Sequence, residues 1–215
     1  MEIRSERKWR INNKIFFQLI SALKRSNFCF KDHYKPRWIN SVYYDDFFHY
    51  SVHQNLNGEY YKEKNRLRWY GNESFTNSVV FEVKKKFGTI SNKTRHILFD
   101  EKIMLDNHFI DKTYSKVLKT FPSKIRLKPK TMTKYLRYYF LSQDEKIRAT
   151  IDTNISYKKI LNNKFGSEKF MDCYNILELK YNIKHDEMIR KNLNLKNLRL
   201  SRNSKFINSF FFQSL

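Results

Sequence analysis

The sequence predicts an α+β protein built around a closed antiparallel β-barrel, with helices packed around the outside. Two observations support this fold class. About seven segments alternate charged and apolar residues with the period of two that is typical of strands. Their charged faces carry mostly Arg and Lys, and their apolar faces are bulky enough to pack outward on helices. A small barrel that holds one ligand would place the charged faces inside.

An open sheet with its charged face in water is the simpler explanation for any single strand. Over all the strands, however, the charged faces hold mostly Arg and Lys, whereas solvated faces usually mix in Ser, Thr, Gln and Asn. Isolated carboxylates interrupt the cations at Glu6, Glu82, Asp152 and Glu178. So many partly desolvated cations need a counter-charge. A chain of phosphates would supply it, and the few carboxylates would serve to hold a divalent metal.

The predicted strands follow one another along the whole chain. They cover residues 2–11, 38–44, two halves of 64–86, 91–98, 132–142, 147–153 and 175–181. The two halves of 64–86 show the alternation most clearly and are joined by a loop near Gly71. Arg66 and Arg68 share one face of the first half, and Leu67 and Trp69 lie on the other.

Helices are predicted in the segments between these strands and at the end of the chain. They begin after Asn12 or Asn13, after Asp45 and Asp46, near 112, near 185 and after 202. The Asp pair is a plausible N-cap, because a carboxylate accepts hydrogen bonds from the unpaired N–H groups of a first turn. Pro36 is taken to mark a loop. No repeat or linker interrupts the pattern, so residues 1–215 are predicted to form a single domain.

Composition limits the function classes. The 215 residues carry 43 Lys and Arg against 21 Asp and Glu, a formal net charge of +22. That excess points to a polyanionic partner: nucleic acid, an acidic membrane surface or a phosphate-rich ligand. Aromatic residues at 17% argue against disorder. The charged N-terminus, the lack of a long apolar run and the two isolated cysteines predict a cytoplasmic protein that reaches a membrane only through a partner.

Eight short motifs resemble, in order, those of the VTC domain. This is the catalytic domain of the vacuolar transporter chaperone family, within the triphosphate tunnel metalloenzymes or CYTH-like proteins. The motifs are ERKW at 6–9, RLRWYG at 66–71, FEVKKK at 81–86, KTR at 93–95, YLRYYF at 135–140, IRATID at 147–152, LELKY at 177–181 and NSKF at 203–206. One departure stands at 43–46, where the family's aromatic-Phe-Asp-Thr turn reads Tyr-Tyr-Asp-Asp.

The resemblance implies a tunnel-shaped barrel that makes inorganic polyphosphate. The enzyme would transfer the terminal phosphate of ATP to a growing polyphosphate chain with the help of Mn²⁺ or Mg²⁺. Carried over by position, the phosphate ligands of the reaction centre would be Lys8, Arg66, Arg68, Lys84, Lys93, Arg137 and Arg148. Further substrate-binding residues would be Lys86, Arg95, Lys180, Ser204 and Lys205. Glu178 would bind the metal, with Glu6 as a second candidate ligand.

Three other functions remain open at this point. A tunnel protein that hydrolyses triphosphate, or one that binds polyphosphate without making it, would need the same cationic lining. A nucleic-acid-binding protein would also explain the charge, but its cations should form an exposed patch with base-stacking aromatics. Here the cations alternate with core residues on many strands, so a nucleic-acid partner is not expected.

Overall fold

The structure is a computed structural model that describes residues 4–88, 90–193, 195 and 198–212. Its strands are β1 (Arg4–Asn12), β2 (Lys31–Asp45), β3 (Tyr61–Tyr70), β4 (Phe75–Thr76), β5 (Val79–Phe87), β6 (Ile90–Phe99), β7 (Ile103–Met104), β8 (Lys128–Leu141), β9 (Arg148–Leu161), β10 (Lys164–Phe165), β11 (Phe170–Met171) and β12 (Tyr174–Asn182). Its α-helices are α1 (Phe16–Arg25), α2 (Tyr50–Leu56), α3 (Phe109–Thr120), α4 (Asp186–Asn192) and α5 (Lys205–Phe211).

The chain divides into two compact units, each assembled from three segments. The first unit comprises Met1–Arg37, Tyr135–Ile155 and Met171–Asn203. The second comprises Trp38–Lys134, Ser156–Phe170 and Ser204–Leu215. The strands β2, β8, β9 and β11 therefore contribute residues to both units. The prediction of a single domain stays a prediction.

In the first unit, β12 pairs antiparallel with β1 on one side and with β9 on the other. Trp9, Leu177 and Ile151 lie in one cross-strand row and belong to a buried apolar cluster with Leu19 and Leu23 of α1. Residues one position away point to the opposite face of the sheet, because side chains alternate along a strand. Burial of the apolar face therefore directs the neighbouring charged residues to the other face.

In the second unit, the order β2-β3-β5-β6 is antiparallel throughout. Val42, Leu67 and Phe81 form a fully buried row that packs in one cluster with Phe109 and Val117 of α3. Full burial of side chains of this size contributes about 1.5–3 kcal/mol each. The register is therefore strongly specified, because a slip of one residue would bury the charged face instead.

The α+β class and the mostly antiparallel sheet are confirmed, whereas the closed barrel is not found. The strand order ends at β1 and at β6, and no pairing joins these two strands among the described residues. The period of two indicates which face a side chain takes, and it is the same in an open sheet and in a barrel. Closure depends on pairing between edge strands, about which alternation says nothing.

Two predicted element boundaries were wrong. Pro36 does not end a strand, because it lies inside the 15-residue strand β2. Pairing of β2 with β3 begins only at Ile39, so the N–H group that Pro36 lacks is not needed for that ladder. Strand β9 continues to Leu161 instead of stopping near 153. The polar Asn154, which adopts a positive φ of 50°, interrupts the alternation there without ending the strand.

Most other element predictions agree with the structure within a few residues. The first strand was predicted from residue 2, and Glu2 and Ile3 lie outside the described residues. Asn12 accepts a hydrogen bond from the N–H of Lys14 at the turn before α1, as predicted for a cap. In the described part of the chain, no helix combines the length and apolar character needed to cross a membrane.

Candidate functional site: two cationic clusters

Glu82 on β5 is the centre of the first cluster, which lies in the second unit. The register places Tyr43, Arg66, Glu82 and Arg95 in one cross-strand row over β2, β3, β5 and β6. This row lies on the sheet face opposite the apolar row of Leu67 and Phe81. We call Tyr43, Arg66, Arg68, Glu82, Lys93 and Arg95 the Glu82 cluster.

Four cations converge on the Glu82 carboxylate, whose side chain is only 1% exposed. Arg66 donates from Nε to Oε2 over 2.7 Å, and Arg68 NH1 lies 3.6 Å from the same oxygen. Lys93 Nζ lies 2.6 Å and Arg95 Nε 3.4 Å from Oε1. One carboxylate cannot neutralise four cations, so the cluster carries an excess of positive charge that an anion would relieve.

The pKa values of the cluster reflect this imbalance. Burial acts to raise the pKa of Glu82, but Arg66, Arg68 and Lys93 outweigh it and lower the pKa to about 2. Burial lowers the pKa of Lys93 to about 8, with repulsion from Arg66 and Arg68 adding to it against the attraction of Glu82. Glu82 therefore stays ionised at neutral pH, and Lys93 is the cation of the cluster that loses its proton first as pH rises.

A second row of cations runs beside the Glu82 cluster. Lys64, Lys84 and Lys93 are register partners on β3, β5 and β6. Lys64 Nζ donates to Ser204 Oγ over 3.3 Å, and Ser204 caps α5, whose first residue is Lys205. The structure therefore brings Ser204 to this row of predicted ligands. Lys86 lies one row further along β5 and is exposed.

Glu178 on β12 is the centre of the second cluster, which lies in the first unit. Lys8 on β1 and Thr150 on β9 are its register partners, and in the next row Lys180 lies between Glu6 and Arg148. We call Glu6, Lys8, Arg137, Asp152, Glu178 and Lys180 the Glu178 cluster.

Two lysines lie near the carboxylate oxygens of Glu178, whose side chain is 7% exposed. Lys180 forms an ion pair with Oε1, and Lys8 Nζ lies 3.9 Å from Oε2. Lys8 also contacts Glu6 Oε1 at 2.5 Å. Burial acts to raise the pKa of Glu178, but Lys180, Lys8 and Arg137 outweigh it and hold the pKa well below its usual range. Glu178 is therefore a carboxylate at neutral pH.

Arg137 is held by Asp152 in the same cluster. Its Nε donates to Oδ1 over 2.5 Å and its NH2 donates to Oδ2 over 2.7 Å, a two-pronged ion pair. Asp152 is fully buried, and although burial alone would lower the pKa of Arg137, this carboxylate raises it. Asp152 therefore positions the predicted phosphate ligand Arg137. The remaining predicted ligand of the first unit, Arg148, is exposed beside Lys180.

The donor atoms of the Glu178 cluster fit a hard divalent cation in part. Glu178 and Glu6 supply carboxylate oxygens, the ligand type that Mg²⁺ and Mn²⁺ prefer. No group of three or more His, Cys, Asp or Glu side chains suited to a metal occurs among the residues that the structure describes. A metal at Glu178 would therefore take its remaining ligands from phosphate oxygens and water. Lys180 would have to leave the carboxylate, which its 44% exposure permits.

The structure adds residues that the sequence analysis had not assigned to the site. Glu82 and Asp152 were noted only as isolated carboxylates, yet each holds predicted phosphate ligands in place. Tyr43 is buried, and its hydroxyl lies 3.4 Å from Arg66 NH1. Lys64 and Arg66 lie on the same face of β3, and their register partners Lys84 and Glu82 lie on that face of β5. The period of two contained the signal for these residues, but not the distances that show their roles.

Comparisons with known proteins agree with this architecture. No curated protein matches the sequence. A solved structure from Vibrio parahaemolyticus, described as a "putative adenylate cyclase", covers 97% of this chain and 98% of its own at 14% identity and a TM-score of 0.53. One from Bacillus halodurans with the same description covers 98% of this chain and 97% of its own at 13% identity and a TM-score of 0.55. At these identities the likeness shows a shared fold alone.

The family comparison covers nearly the whole chain. The model of the VTC domain matches residues 3–212. This range contains all the residues of the Glu82 and Glu178 clusters and all eight motifs identified in the sequence. The protein therefore belongs to the VTC domain family.

Proposed function

We propose that the protein is a polyphosphate polymerase that transfers the terminal phosphate of ATP to inorganic polyphosphate. The observation that carries the proposal is the Glu82 cluster, where four cations meet one buried carboxylate. The planar guanidinium group of Arg can donate two hydrogen bonds to the non-bridging oxygens of a phosphate. The ammonium group of Lys supplies a compact charge, and several such charges can line the path of a phosphate chain. Membership of the VTC domain family supports phosphate chains as the ligand class.

Phosphoryl transfer makes few covalent demands on such a protein. An acceptor phosphate attacks the terminal phosphorus of ATP, so no side-chain nucleophile is required, and catalysis rests on positioning and charge neutralisation. Arg66, Arg68 and Lys93 would bind phosphate oxygens, and Glu82 would hold these cations in place between turnovers. Lys8, Arg137 and Arg148 of the first unit are proposed as further phosphate ligands. That one phosphate chain engages the residues of both clusters stays a prediction.

A divalent metal is the proposed cofactor, and Glu178 with Glu6 would hold it. When bound, Mn²⁺ or Mg²⁺ neutralises charge on the phosphoryl oxygens. Glu178 is suited to the task because its lowered pKa keeps it ionised at neutral pH. Lys8 contacts Glu6 and lies 3.9 Å from Glu178, so it would hold the two carboxylates near each other.

Hydrolysis of triphosphate, or binding of polyphosphate without synthesis, is the second candidate function. The same excess of cations would serve either activity. The solved structures that share the fold are each described as a "putative adenylate cyclase", so the fold by itself does not select polyphosphate synthesis. Incubation of the purified protein with ATP and Mn²⁺, followed by detection of long acid-labile phosphate polymer, separates the candidates. Polymer supports the polymerase. Free phosphate without polymer supports hydrolysis. If neither product forms and polyphosphate still binds, the result supports a binding protein.

A further inference from the structure

A cavity of about 300 Å³ lies in the second unit, on the sheet face opposite the Glu82 cluster. Asn40 and Trp69 line it and are register partners on β2 and β3. The residues next to them, Ser41 and Arg68, are also register partners, and Arg68 belongs to the Glu82 cluster. Because neighbouring residues on a strand point to opposite faces, the cavity is separate from that cluster.

The cavity has both apolar and basic residues in its lining. Trp69, Leu105, Met132 and Phe165 supply apolar and aromatic surface, and Lys134, Lys158 and Lys169 supply three ammonium groups. Glu73, which is exposed, also lines it. Small-molecule sites combine such apolar walls with a few converging polar groups, and this volume is at the lower end of their range.

The ammonium groups of the lining repel one another. Lys134 donates to Asn72 Oδ1, and Asn72 also lines the cavity. Burial lowers the pKa of Lys134, and repulsion from Lys169 and Lys158 lowers it further. A ligand with a negative group would relieve this repulsion.

We propose that this cavity binds a small phosphorylated ligand with a flat ring system, of the class of nucleoside monophosphates. The ring would lie against Phe165, a half-buried side chain of the lining, because aromatic stacking favours a flat partner. The phosphate would contact Lys134, Lys158 and Lys169. The amide of Asn40 donates from Nδ2 to the carbonyl oxygen of Gly71 over 2.9 Å, and both residues line the cavity. The site is independent of the proposed polymerase activity.

Isothermal titration of AMP into the full-length protein tests the proposal. We expect binding by the wild type, and a loss of about tenfold in affinity for Lys158→Ala/Lys169→Ala. In Arg66→Ala/Arg68→Ala, on the opposite face, the AMP binding that depends on Lys158 and Lys169 should persist. A matched control, Lys119→Ala/Lys164→Ala, removes the same charge from exposed residues outside the cavity and should also keep the wild-type affinity.

A substitution at an exposed residue keeps the test independent of folding. Lys169 is exposed, so Lys169→Ala alone leaves the core unchanged and should still weaken AMP binding. Phe165→Ala removes the half-buried ring of the lining, and it should weaken AMP more than ribose 5-phosphate, which has no aromatic ring to stack. Absence of AMP binding at millimolar concentration overturns the proposal. So does binding that survives the loss of Lys158 and Lys169 but disappears in Arg66→Ala/Arg68→Ala.

Discussion

Each cationic cluster is organised around a buried carboxylate, and the two carboxylates differ in what surrounds them. Glu82 faces four cations, whereas Glu178 shares its lysines with a second carboxylate, Glu6. The Glu82 cluster therefore has an excess of positive charge that an anion can neutralise. The Glu178 cluster is closer to balance and has oxygen donors that a divalent cation could use.

Glu178→Gln tests the proposed metal role. The amide keeps the shape of the side chain and removes the charge, so phosphate polymer formation with Mn²⁺ should fall by at least about 100-fold if the metal neutralises developing charge. Polyphosphate binding should persist or tighten, because a repelling charge has been removed. The two quantities are measured by a polymer assay and by equilibrium binding of polyphosphate. Unchanged synthesis would refute the assignment, and an unfolded variant would make Glu178 structural.

Lys93→Arg tests the lowered pKa in the Glu82 cluster. Lys93, with a pKa of about 8, is protonated at pH 7 and largely neutral at pH 9.5. A protonated Lys93 attracts a polyanion, so the affinity for tripolyphosphate should fall as pH rises through about 8, by about tenfold at pH 9.5. Arg keeps its charge over this range, and the variant should lose most of this fall. Titrations at both pH values measure it. An equal fall in both proteins would assign the pH dependence elsewhere.

At the scale of single elements, α2 depends on a carboxylate that precedes it by several residues. Asp45 at the end of β2 is fully buried and accepts hydrogen bonds from the N–H groups of Ser51 and Val52, each over 3.0 Å. Asp46, which is exposed, accepts one from Tyr50 over 2.9 Å. The Asp pair therefore caps the first turn of α2 as predicted, although the residue at the N-cap position itself is His49. Buried Asp45 satisfies more of the orphan N–H groups than exposed Asp46 does.

Asp45→Ala should therefore lower the free energy of unfolding by roughly 2 kcal/mol or more, because it removes a cap and leaves buried N–H groups without an acceptor. Asp46→Ala is the matched control and should cost roughly 0.5–1 kcal/mol. Urea unfolding followed by circular dichroism measures both. Equal losses would show that the buried position of Asp45 adds nothing to its role as a cap.

At the scale of the whole molecule, the question is whether the net charge of +22 acts through specific clusters or as a diffuse field. Arg66→Ala/Arg68→Ala should weaken tripolyphosphate binding by about 100-fold or more, because each Arg supplies a charged hydrogen bond from a partly buried position. Lys119→Ala/Lys164→Ala removes the same charge from exposed positions and should change the affinity less than about threefold. Equilibrium titration at a fixed salt concentration compares them. Equal losses would favour a diffuse surface and nucleic acid as the partner.

The sequence by itself determined the faces of the strands and most of the cations in the two clusters. Alternation places Arg66 and Arg68 together because burial of Leu67 leaves no other direction for them, and the resemblance to the VTC domain adds Lys8, Arg137 and Glu178. The capping of α2 was also predictable, since it depends on residues close in sequence. These properties depend on residues that are close together in the sequence, so they can be predicted from it.

Only the tertiary structure decided how charges pair and where strands continue or end. That Glu82 holds four cations, that Asp152 fixes Arg137 and that β2 passes through Pro36 all depend on which strands are neighbours. The cavity beside Trp69 likewise draws its lining from residues as far apart as Asn40 and Lys169. A period of two assigns a side chain to a face. It does not contain the distance between residues on strands that are remote in sequence, and that distance determines pairing, burial and pKa.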